Sequence, residues 1–79
     1  MQYRDGTEIC VGDTVAIDTR HRGVVVASID SSEYSEDYPA TQWAHLGGGI
    51  LVNTDFGGLI HYPPGHGEEM VLVQRRDAA

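Results

Sequence analysis

The 79-residue chain contains no lysine. Its positive charge rests on five arginines, Arg4, Arg20, Arg22, Arg75 and Arg76, and between Gly23 and Gln74 there is none. So few cations leave little of the basic footprint from which nucleic-acid affinity normally starts. There is one cysteine, Cys10, which excludes an internal disulfide and a cysteine cluster for zinc. Set between Ile9 and Val11, that thiol reads as a small packing residue. Long apolar runs are missing too: the longest aliphatic run covers residues 24–27, far short of the roughly 20 residues that span a bilayer. The opening Met-Gln-Tyr-Arg-Asp-Gly lacks the apolar core of a signal peptide, so the expected location is cytoplasmic. Aromatics are few: four tyrosines, one tryptophan and one phenylalanine.

What the chain has is acid. Twelve carboxylates against five arginines give a formal net charge of −7. Seven of the acids fall in the cation-free centre: Asp30, Glu33, Glu36, Asp37, Asp55, Glu68 and Glu69. The remaining five equal the arginines in number, so the centre carries the whole excess. Such a field repels phosphate backbones and steers basic partners inward; in the plainer alternative it serves solubility alone.

The length supports one domain, residues 1–79, near the lower limit for an unaided core. An apolar fraction of 41% with 22% charged residues places it among globular rather than disordered chains. Gly, Asp, Asn and Pro recur at short intervals between β-branched runs, and nothing repeats. The runs predict short strands over 2–3 and 8–11 around an Asp5-Gly6 turn, then over 14–18, 24–29, 50–54, 58–62 and 70–74. The unbroken Val24-Val25-Val26 start predicts burial on both faces there. Asp55-Phe56-Gly57 reads as a tight hairpin and 63–67 as a wider loop. Five or six short strands give an all-β fold, a small, strongly bent antiparallel sheet or barrel.

Residues 31–49, SSEYSEDYPATQWAHLGGG, exceed what a minimal barrel needs. Pro39 suits a first helical turn, and Gly47 suits a left-handed stop. One short helix is therefore expected near 39–46, with Ala40, Trp43 and Leu46 on one face that docks on the sheet. Trp43 is expected to pack onto the barrel. Tyr34 and Tyr38 alternate with Glu33, Glu36 and Asp37. Set among acids, they are anchors for a basic protein surface, or else both rings fold over the barrel mouth and stiffen the loop. Phe56, at a hairpin tip, is a candidate exposed hydrophobic contact.

Signals for catalysis or metal binding are weak. His21, His45, His61 and His66 show no zinc-ligand spacing; His61, His66, Glu68 and Asp55 are the set that would have to converge. Ser28, Ser31, Ser32 and Ser35 sit on no nucleophile elbow, and no Cys/His pair is close in sequence. Glu33, Glu36 and Asp37 are expected in a solvated loop, without the fixed geometry that acid–base chemistry needs. The glycines at 47–49 follow a helix, whereas a phosphate-binding loop precedes one. No catalytic residue, metal or cofactor is assigned.

The order DGTEICVGDTVAI…RGVVVASI resembles the opening of SH3-like barrels of the KOW class, where a Gly-Asp turn launches one strand and a glycine before a valine run launches the next. A longer pattern, "DGT…VGD.V", "GVVVASIDSSEYSEDYP…W..L" and "G.LV.TDFGGLIHY", then an acidic loop and "VLV", covers most of the chain. It resembles small bacterial SH3-like (KOW-like) β-barrel proteins found near polymorphic-toxin and secretion-effector genes, where small proteins commonly serve as cognate immunity factors. The resemblance implies a non-catalytic immunity or inhibitor protein and brings no catalytic residues with it. Joined to the charge pattern, it predicts occlusion of a basic effector, for example a nuclease toxin. The expected contact face comprises Asp30, Glu33, Tyr34, Glu36, Asp37, Tyr38, Asp55, Phe56, Glu68 and Glu69. One alternative is an SH3-like adaptor that reads an extended peptide beside Tyr34, Tyr38 and Trp43. Another is nucleic-acid binding, should the five arginines form one patch. An open edge strand in so small a sheet also leaves homodimerisation available.

Overall fold

Val15, Val25 and Val52 sit on three neighbouring strands with their side chains on one face, and that face decides how the sheet bends. The structure, a computed structural model, describes residues 1–55 and 57–75, with Glu68 by its backbone alone. The strands are β1 (Thr14–Ala16), β2 (Arg22–Ser28), β3 (Glu33–Tyr34), β4 (Ile50–Thr54), β5 (Gly58–Tyr62) and β6 (Val71–Gln74). They pair antiparallel throughout, in the order β5-β4-β2-β1-β6, with β3 beside β2. One short helix, α1 (Ala40–Trp43), runs on into a 3-10 turn over Ala44–Leu46. This is the small all-β fold with a single short helix that the sequence predicts. No helix among the described residues is long and apolar enough to cross a membrane.

The core cluster is Tyr3, Ile9, Val15, Val25, Ile50, Val52 and Met70, all buried. Each of its aliphatic side chains contributes about 1.5–3 kcal/mol by leaving water. Register shifts at Thr14/Val15 against β6 and at Val25/Ala27 against β4 bend the sheet around this cluster. Gly23 permits the close approach of β2 and β4, since a Cβ there would lie 2.6 Å from Val52 Cγ1.

Several expectations are corrected. Val24 is exposed while Val25 is fully buried, so β2 alternates at its start and is not buried on both faces. The strands expected over 2–3 and 8–11 reduce to one bridge, Gln2↔Glu8, because the amides of Tyr3 and Gly6 are used within a turn, bonding Thr7 O and Tyr3 O. β1 stops at Ala16: the Asp18 carboxylate accepts the amides of Arg20 (2.7 Å) and His21 (2.8 Å) and turns the chain.

The acidic segment is not a loose loop. β1 covers β2 only over Arg22, Gly23 and Val24, and β3 takes the same edge further on, pairing Tyr34 with Ala27 and Glu33 with Ser28. The Ser35 hydroxyl donates to Val26 O at 2.6 Å, and the Tyr38 amide closes a turn onto Ser35 O at 3.0 Å. The helix also differs from expectation. Pro39 precedes it in an extended conformation and does not open its first turn, while Gly47, at φ 84°, supplies the expected left-handed stop at the end of the 3-10 turn that follows. Trp43 and Leu46 are half-buried and stand outside the core cluster. The cluster draws its members from outside the strands, Tyr3, Ile9 and Met70, from the two ends of the chain instead.

Candidate functional site

β3 and the Ser35–Tyr38 turn form an arm that presents Glu33, Glu36 and Asp37 to solvent. Tyr34, Tyr38 and Trp43 lie half-buried along it, and the rings of Tyr38 and Trp43 meet at 6.3 Å between centroids, tilted by 41°. The Trp43 indole nitrogen is buried and has no hydrogen-bond partner among the described residues.

The partners of the carboxylates separate the arm from the rest of the acidic surface. Asp30 accepts the Gly49 amide at 3.0 Å and lies 3.7 Å from the Met1 ammonium, which Glu8 binds at 2.8 Å. Asp5 accepts the Thr7 amide, and Asp18 caps its turn. Asp55 holds the ring of His21 at 3.3 Å and accepts the Arg22 amide, while Glu69 pairs with His66. Asp13 is wholly buried: its Oδ2 accepts the Tyr3 hydroxyl at 2.6 Å and the Cys10 amide at 2.9 Å, and Arg75 Nε stands 3.5 Å from Oδ1. Among the described side chains, the carboxylates with neither hydrogen bond nor ion pair are Glu33, Glu36 and Asp37.

The expected face is only partly assembled. Asp30 follows the Ser28 end of β2, Glu33 and Tyr34 pair back along it, and Glu36, Asp37 and Tyr38 lie in the turn that follows Ser35, which is bonded to Val26. Asp55 does not join them: β4 is antiparallel to β2, Thr54 faces Gly23, and Asp55 therefore sits at the Arg22 end. At roughly 3.3 Å per strand step, Arg22 lies about 20 Å from Ser28 beside Glu33 and about 13 Å from Val26 beside Ser35. Phe56 and Arg76 lie outside the described residues, as does the side chain of Glu68. The arginines are divided as well. Arg75 is held by Asp13, by Glu8 O at 3.0 Å and by Cys10 Sγ at 3.4 Å, at the Thr14 end of β1. Arg22 is paired with Ala16 at the other end, and Arg4 has a partner of its own. The guanidiniums of Arg20 and Arg22 are uncommitted among the described residues.

Electrostatics follow these contacts. Burial, and then the hydrogen bond to Asp13, hold the Tyr3 phenol protonated far above the usual tyrosine range. Burial, with the nearby Glu69 charge, also pushes Tyr62 upward. Backbone amides lower Asp5 and Asp18, and the Met1 ammonium lowers Glu8. Three of the four histidines are engaged locally: the carbonyl of Gly48 accepts from His61 Nε2 at 2.8 Å, His66 pairs with Glu69 and His21 with Asp55. Among the described residues no group of three or more His, Cys, Asp or Glu side chains converges as a metal site.

Nothing in the sequence announces the Tyr3–Asp13–Arg75 contact. Gly12-Asp13 reads as a solvated turn, and no local pattern links it to an arginine at the far end of the chain. Compared with protein-family models, with curated proteins and with solved structures, the chain matches none.

Proposed function

We propose that this chain is a non-catalytic protein-binding module of the immunity or inhibitor type, whose acidic aromatic arm covers the cationic groove of a basic effector such as a nuclease. One observation carries this reading: the three carboxylates that lack intramolecular partners among the described side chains stand together on the arm that holds Tyr34 and Tyr38, with Trp43 beside Tyr38. Carboxylates already engaged lose existing bonds when they meet a partner, whereas these three lose only water. Rigid aromatic rings beside them add contact area at little entropic cost. The arm's ladder to β2 and the Ser35 tether hold it ready for binding. Association is then fast and weakens with salt. The test is co-expression with the basic product of the adjacent gene. Co-purification that is lost in Glu36→Lys/Asp37→Lys supports the proposal; co-purification unaffected by that change overturns it.

A second reading, an adaptor for extended peptides, draws on the Trp43 indole, whose buried N–H lacks an acceptor that a peptide carbonyl can supply. Binding to an array of uncharged peptides that is lost in Trp43→Ala, with folding retained, favours it. Nucleic-acid binding is the weakest reading, given an engaged Arg75 and its separation from Arg22.

A further inference from the structure

A recess opens on the face of the sheet turned away from the core. Val25 belongs to the core cluster, so its neighbour Val24 points the other way and stands 41% exposed. Thr14 on β1 and Asn53 on β4 are the cross-strand partners of Val24 and share that face with it. Together with Arg22 and Asp55 they line a hollow of about 310 Å³ whose floor is apolar. The side chains of Thr14, Arg22 and Asn53 hold no hydrogen bond or ion pair among the described residues, so three donors face the hollow unused. The Asp55 carboxylate is occupied by the His21 ring and the Arg22 amide.

Charge decides what fits there. Of the four described arginines, Arg4 and Arg75 have partners, which leaves Arg20 and Arg22. The carboxylates left over are Glu33, Glu36 and Asp37 on the arm. Within one chain the two sets do not meet: no ion pair joins them, and Ser35 ties the arm to Val26, about 13 Å along β2 from Arg22. Between two chains they can. The arm of one copy ends in an exposed acidic turn, and the recess of another offers a guanidinium, a carboxamide and a hydroxyl to its carboxylates. Neither side gives up an intramolecular bond on docking. The net charge of −7 on each copy opposes the approach over longer distances, and physiological salt screens that part while sparing direct contacts.

We propose that the Arg22 recess receives the acidic arm of a second copy of this chain, head to tail. The contact is heterologous, so each pair keeps one free arm and one free recess and further copies can add. A docked arm is closed to other partners, but the contact itself does not depend on what else the arm binds.

Sedimentation equilibrium of the full chain at physiological ionic strength, from micromolar to near-millimolar concentration, tests this. The expected result is a mass that climbs with concentration past that of two chains. Arg22→Gln alone and Glu33→Gln/Glu36→Gln/Asp37→Asn alone each raise the dissociation constant about tenfold or more. Mixed in equal amounts, the two variants associate as the parent does but stop at two chains, because the pair is left with a neutral recess and a neutral arm. Melting temperatures measured alongside separate weakened association from lost folding. A parent that is monomeric at every concentration overturns the proposal, even if free glutamate or inorganic phosphate binds at Arg22. So does association indifferent to either variant, or a mixture that stays monomeric or grows past two chains.

Discussion

Tyr3 and the Cys10 amide reach one oxygen of Asp13 and Arg75 reaches the other, so a single buried carboxylate ties the first turn, the entry to β1 and the exit from β6 together. Buried acids are costly unless paired, which makes each partner matter. Tyr3→Phe removes a donor without emptying the core and is expected to lower stability by about 1–3 kcal/mol in urea denaturation. A change within experimental error would mean that Asp13 needs no donor from Tyr3. The same contacts set the pH response. Tyr3 titrates higher folded than unfolded, so its contribution is complete below the usual tyrosine range and is lost as the pH rises past it. Asp5 and Asp18 titrate lower folded than unfolded, so theirs is complete above the usual carboxylate range and is lost as the pH falls through it. Melting temperature against pH should therefore show a plateau that falls at both ends. A curve still rising at strongly alkaline pH would contradict the Tyr3 assignment.

At the scale of elements, the arm depends on β3 and one hydroxyl. Ser35→Ala removes the bond to Val26 O and should speed amide exchange over 33–38, while exchange in β4 is unchanged. Equal exchange in both proteins would show that the ladder alone holds the arm. How far these elements are legible in the sequence varies with their cause. β4 and β5 are read correctly to the residue, because glycines and Asp55 bracket β-branched runs and local chemistry sets both ends. β3 leaves no local sign: it is two residues long, polar on one side, and exists because β2 outruns β1. Proline and glycine place the helix correctly, but spacing shows only that Ala40, Trp43 and Leu46 share a face and not what lies opposite it, and Trp43 and Leu46 stand outside the core cluster. The acids were legible as a group in composition, yet the position of Asp55 apart from the arm follows from strand direction, which composition does not contain.

Over the whole molecule, charge is polarised along β2. Among the described residues, uncommitted Arg20 and Arg22 stand at or before its first residue, and uncommitted Glu33, Glu36 and Asp37 stand on the arm that pairs with its other end, on a chain of net charge −7. Charges without partners in the fold can be reversed at little cost to it, so Glu36→Lys/Asp37→Lys should melt at the parent's temperature. The sole tryptophan, Trp43, ends α1 with its ring against Tyr38 of the arm and reports events there by its emission. The most direct test of the central claim is a fluorescence titration of the chain with the basic product of the adjacent gene. It is run at low and high salt, with the parent and with Glu33→Gln/Glu36→Gln/Asp37→Asn. The claim predicts a saturable change in Trp43 emission, weaker at high salt and about tenfold or more weaker in the neutralised variant. Binding that leaves Trp43 emission unchanged, or that is equally tight in the variant, would contradict it.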